Sequence, residues 1–407
     1  MKATSLLIIM ILSSCVSPNI KVKGHLIGNG RYGSSAIITQ GGMIHIDNGE
    51  VYSLESFGSG VFEINAVLKT FEADNGIWGE ILETPEIFEP PASKALKKIG
   101  AKIYGKKLTF KDQVIPGEFI EYCNQLPFIQ EIDFIRGSVV CAILPKLKFV
   151  TKINFDNVNF KGEDLGSLFE IPSLKELTIR KGKNIGSMRL SESSEIEYFH
   201  FDHGVIESSL FRKMPKLKGL FLSHIEVVIN DSNDFYSLAK LESLLLYDCK
   251  EFVILNNDFS KFKQLRDLAI RAQITSDEIH SLPLNLEDLD LSRTLVDDSL
   301  IKILPSKLIN LDLKSTAVTD ELIKNLPVSL ESLVIDKTKI TSDCIDDLTK
   351  LKNLKYLNFN SVMVDFKKIW KLANTVKTLN RINFNENIKM TGAEEEALYE
   401  ILDSRLE

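Results

Sequence analysis

Leu286-Glu-Asp-Leu289-Asp-Leu291-Ser-Arg-Thr294-Leu-Val296 is the first of three consecutive segments with one pattern; the others are Leu308-Ile-Asn-Leu311-Asp-Leu313-Lys-Ser-Thr316-Ala-Val318 and Leu330-Glu-Ser-Leu333-Val-Ile335-Asp-Lys-Thr338-Lys-Ile340. Their first residues are 22 positions apart. Counted from offset 0, each has apolar residues at 0, +3, +5 and +10 and threonine at +8. Offsets +3 and +5 are two residues apart, so their side chains leave the same face of a strand. The spacing predicts one short strand per segment with a buried apolar face.

The same offsets recur on both sides of these segments. Upstream starts are Ile129, Val150, Leu174, Ile196, Leu217, Leu241 and Leu265, and downstream starts are Leu354 and Leu379. The pattern resembles the L-x-x-L-x-L-x-x-N/T-x-L signature of leucine-rich repeats. The resemblance covers about residues 105–390, with about 12 repeats over 129–390 and a degenerate thirteenth around Gly105, Leu108 and Phe110.

The resemblance implies an α/β solenoid: a curved parallel sheet with helices on its convex side. A single repeat cannot bury its leucine face, but stacked repeats share a continuous core. Helical segments are expected after the strands, for example over 274–282, 318–326 and 340–348, where Ser, Thr and Asp are good N-caps. Thr391 and Glu394 have capping-box spacing, which predicts a C-terminal capping helix over 391–407.

The N-terminus has the features of an export signal. Met1-Lys2 precedes an apolar run from Leu6 to Leu12 that is too short to span a bilayer comfortably. Leu12-Ser13-Ser14-Cys15 resembles the lipobox of bacterial lipoproteins. The resemblance implies a signal peptide over 1–14, a lipidated Cys15 and a tether over 15–23. A plain signal peptide that happens to contain cysteine is the alternative.

Two further segments precede the repeats. Residues 24–90 are rich in glycine and β-forming residues, and Asp47-Asn48-Gly49 is a strong hairpin signal, so a small β-rich module is expected. Residues 91–128 are interpreted as a basic helical linker and N-terminal cap, with lysines at 94, 97, 98, 102, 106 and 107. These lysines could touch anionic lipid headgroups or form an ordinary solvated helix face.

Composition and motifs argue against nucleic-acid binding and catalysis. The net charge of −7 over 407 residues does not suit phosphate neutralisation. Gly28-Asn-Gly30-Arg-Tyr-Gly33 matches G-x-G-x-x-G, but the kinase motifs and the βαβ unit that would give it meaning are missing from the sequence. No H-E-x-x-H, G-x-S-x-G or C-x-x-C occurs. We therefore predict no enzyme and no cofactor. Buried thiols are expected, with Cys123–Cys141 as the one disulfide to test.

His203, His224 and Asp248 share offset +7 in consecutive repeats, so stacking should make them neighbours along one edge of the sheet. Such a ladder could bind a transition metal or titrate at mildly acidic pH. A solvated column at the strand-to-turn corner is the simpler interpretation, and the sequence prediction is no metal.

Offsets +2, +4 and +6 should face outward on the concave side of the sheet. The candidate partner-binding residues there are Tyr198, His200, Phe221, Leu245 and Tyr247, flanked by Arg180 and Arg271. Aromatic side chains inside a charged rim are typical of protein-binding hot spots. Irregular repeats that tilt these side chains into the core, or a covering by the N-terminal module, are the alternatives.

The sequence thus predicts an exported lipoprotein of the bacterial outer membrane or cell surface. It would bind a protein or peptide partner through the concave sheet and be anchored to the membrane at Cys15. Two other functions stay open at this point: a structural scaffold in an envelope complex, and a targeting arm for a ligand-binding or enzymatic N-terminal module. Fold alone does not choose among them.

Overall fold

The computed structural model describes residues 91–407 except 161–163, 187, 191–192, 229–230, 232, 250–257, 363, 385–389 and 407, and before residue 91 only the backbone of eight strands. Cys15 and the glycine-rich segment 28–33 lie outside the described residues. The chain forms two compact units, Met1–Arg189 and Leu190–Glu407.

The N-terminal strands pair mainly in antiparallel fashion. They are β1 Ile8–Ile9, β2 Asn19–Leu26, β3 Ala36–Ile38, β4 Met43–Ile46, β5 Val51–Ser53, β6 Gly60–Ala73, β7 Gly76–Ile81 and β8 Glu86–Ile87. One sheet has the order β1-β3-β4-β5, and in the other β6 pairs with β2, β7 and β8. The predicted hairpin is present, since β4 and β5 are antiparallel with Ile44 opposite Tyr52. The expected strands are therefore present in this part of the chain, and a separate module with bounds 24–90 stays a prediction.

The remainder of the first unit begins the repeat pattern. It contains helix α1 Pro91–Lys98, strands β9 Lys102–Tyr104 and β10 Lys107–Lys111, helix α2 Phe119–Asn124, and strands β11 Glu131–Ile135, β12 Lys152–Asp156 and β13 Glu176–Arg180. The 3₁₀ helices Cys141–Lys146 and Leu165–Glu170 follow β11 and β12. Strands β10 to β13 are parallel and in register.

The expected basic helix is shorter than the sequence suggested. It ends at Lys98, and Lys102 and Lys107 lie on strands. The local pattern explains the difference, because Leu108 and Phe110 alternate with polar residues and fill the core face of β10.

The second unit continues with nine strands among its described residues. They are β14 Tyr198–Glu207, β15 Gly219–Val228, β16 Ser243–Tyr247, β17 Asp267–Arg271, β18 Asp288–Asp290, β19 Asn310–Asp312, β20 Ser332–Val334, β21 Tyr356–Asn358 and β22 Arg381–Asn383. Neighbouring strands are parallel, and each pairing keeps equal offsets opposite each other.

Most segments that return from one strand to the next in this unit are short 3₁₀ helices. They are Ser208–Lys213, Phe235–Ser237, Phe259–Lys261, Ser276–Glu278, Asp298–Lys302 and Ser342–Cys344. The α-helices of the unit are α3 Asp320–Ile323, α4 Ile345–Leu348, α5 Phe366–Thr375 and, after the last strand, α6 Gly392–Asp403. The helices expected over 274–282 and 318–326 are thus only partly formed. A repeat of about 22 residues leaves too few residues for a longer α-helix, and short 3₁₀ turns fill that space.

Each offset of the repeat signature has a structural role. Every predicted repeat start from Ile129 to Leu379 is followed two residues later by the first residue of a strand. The leucines at +3 and +5 are buried; Leu311 and Leu313 are 1% and 0% exposed. Thr294 and Thr316 at +8 are buried, and their hydroxyls are satisfied by donating to the carbonyl at +5, as Thr316 does to Leu313 at 2.7 Å.

Offset +7 has a backbone conformation of its own. Non-glycine residues with positive φ occur there in ten repeats, counted with the degenerate one: Asp112, Arg136, Asn157, Lys181, His203, His224, Asp248, Arg293, Ser315 and Lys337. In most of these repeats the left-handed residue follows the end of the strand, but β14 and β15 continue past His203 and His224. Asn, Asp and His tolerate the conformation better than most residues. The position of the two histidines is therefore fixed by the repeat.

The C-terminal end of the described array is closed by α6. Thr391 and Glu394 form the capping box at its start. Leu398 and Leu402 are buried. The guanidinium of Arg405 donates to the carbonyls of Ala373, Val376 and Leu379 at 2.8–3.1 Å, which satisfies groups at the end of the last repeat.

No disulfide is present among the described cysteines. Cys123, Cys141, Cys249 and Cys344 are buried. Cys249 occupies the offset +8 that threonine has elsewhere, and its thiol donates to the Leu222 carbonyl at 3.4 Å. Within the described part of residues 91–407, no helix has the length and apolar content needed to cross a bilayer.

Candidate partner-binding face

Strand alternation places one row of side chains on the outer face of β14 to β17. On β15, Leu220 and Leu222 are 1% and 0% exposed, while Phe221 between them is half-buried. Because side chains on a strand alternate between faces, Phe221 lies on the face opposite the leucine core. His200, Leu245 and Tyr247 are half-buried in the same way.

Four side chains on four neighbouring strands form a continuous set of contacts, here called the aromatic row: His200, Phe221, Tyr247 and Arg271. The His200 and Phe221 rings stack with centroids 4.1 Å apart. Phe221 meets Tyr247 edge to face at 5.1 Å, and the Arg271 guanidinium lies 4.4 Å from the Tyr247 ring centroid. The register explains both ends of the row, since His200 is opposite Phe221 and Tyr247 is opposite Arg271.

Tyr198 extends this surface over a glycine. It is opposite Gly219, and a Cβ added to Gly219 would lie 2.6 Å from Cδ1 of Tyr198. The tyrosine ring thus occupies the space that a side chain at offset +2 would fill. Tyr198 is 46% exposed. Leu245, opposite Phe221, adds an aliphatic side chain to the same face.

Carboxylates border the row on the side of β17 to β19. Arg271 forms an ion pair with Asp290 at 2.7 Å. Burial, together with the charges of Asp288 and Asp290, raises the pKa of Asp267 above its ordinary value. Burial and the charge of Asp290 likewise raise the pKa of Asp312. Negative charge is therefore crowded here, with Arg271 offsetting only part of it.

Arg180, the remaining predicted site residue, belongs to the first unit. It is the exposed last residue of β13. In this unit, outward-facing charges on neighbouring strands neutralise each other: Lys107 pairs with Asp133 at 2.6 Å, and Lys152 pairs with Glu176 at 2.9 Å. The outer face of the second unit differs in having aromatic contacts and excess carboxylate.

A second cluster lies at the left-handed residues within β14 and β15. The rings of His203 and His224 stack with centroids 4.7 Å apart. Oδ1 of Asp202 lies 2.8 Å from Nδ1 of His203 and 3.1 Å from Nδ1 of His224. Asp248 is the more distant carboxylate, with Oδ2 at 3.6 Å from Nε2 of His224. The offset +7 ladder is thus assembled, but the carboxylate between the two rings is Asp202 at +6.

Asp202 is held tightly at this corner. The residue is 8% exposed, and burial by itself raises the pKa of its carboxyl group. Hydrogen bonds from His203, His224 and Ser223 outweigh the burial and keep that pKa below its ordinary value. Offset +6 is the sequence signal that places Asp202 beside both histidines, because it directly precedes the left-handed residue of the same repeat.

Comparisons with known proteins bear on the fold alone. No family model matches the chain, and no curated protein matches it. An internalin from Listeria monocytogenes str. 4b F2365 is similar in structure, with a TM-score of 0.50 and 16% identity over 78% of this chain and 88% of that one. TLR13 in complex with ssRNA13 matches with a TM-score of 0.43 and 16% identity over 73% of this chain and 45% of that one.

At this level of identity the likeness to the internalin concerns the fold alone. It agrees with the parallel strands, the buried leucine face and the repeat spacing described above. The predicted fold class is confirmed: this chain folds as a leucine-rich-repeat solenoid.

Proposed function

We propose that this chain is a binding protein that holds a protein partner on the outer face of β14 to β17. The aromatic row carries the proposal. Aromatic residues and arginine are enriched in the energetically dominant part of protein interfaces. The contacts of Phe221 and Tyr247 with their neighbours already fix these rings, so less side-chain entropy is lost on binding.

The chemistry of the face indicates the chemistry of the partner. Phe221, Leu245 and the exposed Tyr198 offer apolar contact area. Asp267 and Asp312 carry charges that burial and neighbouring carboxylates disfavour. A lysine or arginine of the partner placed there would relieve that cost. We therefore expect a segment with an apolar or aromatic side chain beside basic ones, and the acidic face disfavours nucleic acid.

Site-specific photocrosslinking tests this proposal. The chain offers a matched pair of positions, because Tyr198 on the proposed face and Tyr399 on α6 are 46% and 45% exposed. A benzophenone amino acid at each position, introduced in cells that produce the protein, is expected to give a discrete protein adduct from 198 and none from 399. Phe221→Ala should remove the adduct from 198. Equal labelling from both positions, or an adduct indifferent to Phe221→Ala, would contradict the proposal.

The same proposal includes export and lipid anchoring at Cys15. Support comes from the lipobox-like residues Leu12–Cys15. Two or more acyl chains at the mature N-terminus would give stable attachment to a bilayer, whereas one chain gives marginal binding. Metabolic labelling with an alkyne fatty acid should mark the wild type and not Cys15→Ala. Labelling of the variant at the wild-type level would refute the anchor.

Protease treatment of intact cells then locates the repeats. Export to the cell surface predicts that protease releases repeat peptides from intact cells. That result would place the binding face outside the cell. Protection until the outer membrane is broken would contradict surface exposure and favour the scaffolding role within an envelope complex. Both results can be read from the same peptide mass spectra, with Cys15→Ala as the unanchored control.

A further inference from the structure

We propose that Asp202, His203 and His224 form a binding site for a divalent transition-metal ion of the zinc class, with one coordination position left open. One ligand atom from each residue lies within 4.8 Å of the other two. Zinc takes imidazole nitrogen and carboxylate oxygen at about 2.0–2.2 Å, so ligand atoms around a tetrahedral ion are about 3.3 Å apart. The Asp202 oxygen already lies 2.8 and 3.1 Å from the two Nδ1 atoms.

The backbone fixes the points from which both histidine side chains project before any ion binds. His203 and His224 have φ of 64° and 51°, the left-handed conformation that recurs at offset +7. The conformation recurs at this offset in ten repeats with different residues there. Strand pairing sets the spacing between the two, since the residues before them, Asp202 and Ser223, are opposite each other. On binding, the ion would draw the His203 and His224 nitrogens together and replace the present contact of His224 Nδ1 with Ser223 Oγ at 2.8 Å.

The surroundings of His224 fit a ligand role. With Nδ1 directed to the ion, its other ring nitrogen carries a proton and needs an acceptor. Asp248 is the neighbouring acceptor: its carboxylate lies 3.6 Å from Nε2, so a small approach would bring it within hydrogen-bond distance. A carboxylate behind a metal-bound histidine fixes the ring tautomer and raises its basicity as a ligand. Asp248 is thus a positioning residue here, and Asp202 is the carboxylate ligand.

Exposure of the site leaves room for a further ligand. The side chains of His203 and His224 are each 50% exposed, while that of Asp202 is 11% exposed. Three protein ligands with the fourth position open to water are the arrangement of accessible zinc sites. The fourth position can be taken by water or by a group of a bound molecule. The site stands independently of the proposed partner, because it uses none of the residues of the aromatic row.

Calorimetric titration of the tag-free full chain with Zn²⁺ tests the site. Asparagine tolerates left-handed φ, so His203→Asn and His224→Asn remove a ligand and keep the backbone. The matched control is His280→Asn, which changes an exposed histidine elsewhere. One equivalent is expected to bind to the wild type and the control, with affinity at least tenfold weaker in each ligand variant. Asp248→Asn should weaken affinity by about 10–100-fold.

A second measurement uses the unmodified chain, so its result does not depend on whether the variants fold. Zn²⁺ should protect His203 and His224 from carbethoxylation by diethyl pyrocarbonate, as read by peptide mass spectrometry, while His280 continues to react. Co²⁺ in the same site should show the visible absorption of a four-coordinate ion. The proposal is overturned if Zn²⁺ binds equally well to the ligand variants, if no saturable binding is found, or if all three histidines react alike with and without Zn²⁺.

Discussion

Phe221→Ala and Leu222→Ala are a paired test of which face of β15 is core and which is the binding face. The two residues are adjacent, but Leu222 is 0% exposed and Phe221 is half-buried. Truncation of a fully buried leucine costs about 2–5 kcal/mol in the free energy of unfolding. Phe221→Ala removes two cross-strand contacts, with His200 and with Tyr247, and each contributes about 0.2–1 kcal/mol to the free energy of unfolding. We therefore expect Leu222→Ala to lower the free energy of unfolding at least about twice as much as Phe221→Ala does.

Urea denaturation followed by circular dichroism measures both losses on the same chain. The midpoint for Leu222→Ala should fall well below that of Phe221→Ala. The photocrosslinking adduct from position 198 should show the reverse order: Phe221→Ala removes it under conditions where the chain is folded. Equal destabilisation by the two substitutions would refute the assignment of faces. A Phe221→Ala variant that is folded and still captures the partner would refute the hot-spot role.

Three further predictions concern charge, capping and thiols. The folded-state pKa of Asp312 is raised, so ionisation of this carboxyl group lowers the stability of the fold as pH rises through that pKa. In Asp312→Asn the amide oxygen can still accept the Lys314 N–H. This variant should therefore raise Tm at about pH 7 and have no effect at about pH 3. A lower Tm at neutral pH would show that the charge is favourable. Thr391→Ala should cost about 1 kcal/mol by chemical denaturation, since it removes the N-cap of α6; no loss would mean that the capping box is dispensable. Burial raises the pKa of Cys123 and Cys344 to about 12, so a disulfide reagent at about pH 8 should modify them only after denaturation, and rapid modification of the native chain would contradict their burial.

Much of the site could be located from sequence because the register of a stacked repeat is periodic. Once Leu217 and Leu241 are taken as repeat starts, offset +4 places Phe221 and Leu245 on the outer face of adjacent strands. The structure has them there, opposite each other. Period-two alternation and the buried leucines leave no other register, since a slip of one residue would expose the core face.

Contacts between side chains could not be read from the same offsets. An offset gives a residue's strand and face, but ring angles depend on rotamers and on the size of the neighbours. The ring of Tyr198 lies over position 219 because that residue is glycine, and Tyr247 meets Phe221 edge to face while Arg271 lies over the Tyr247 ring. These are packing results over four strands, and no single repeat contains them.

The sequence by itself determined the leucine-rich-repeat fold, the strand positions and the outward-facing residues, because all three follow from a local period that each repeat restates. Only the tertiary structure decided that Asp202, and not Asp248, lies between the two histidines. It also decided that most of the returning segments of the second unit are short 3₁₀ helices. The physical reason is the same in both cases. The left-handed residue at +7 and the short returning segment determine the direction in which side chains leave the backbone. Which contacts those side chains make depends on the neighbouring repeat that stacks against them.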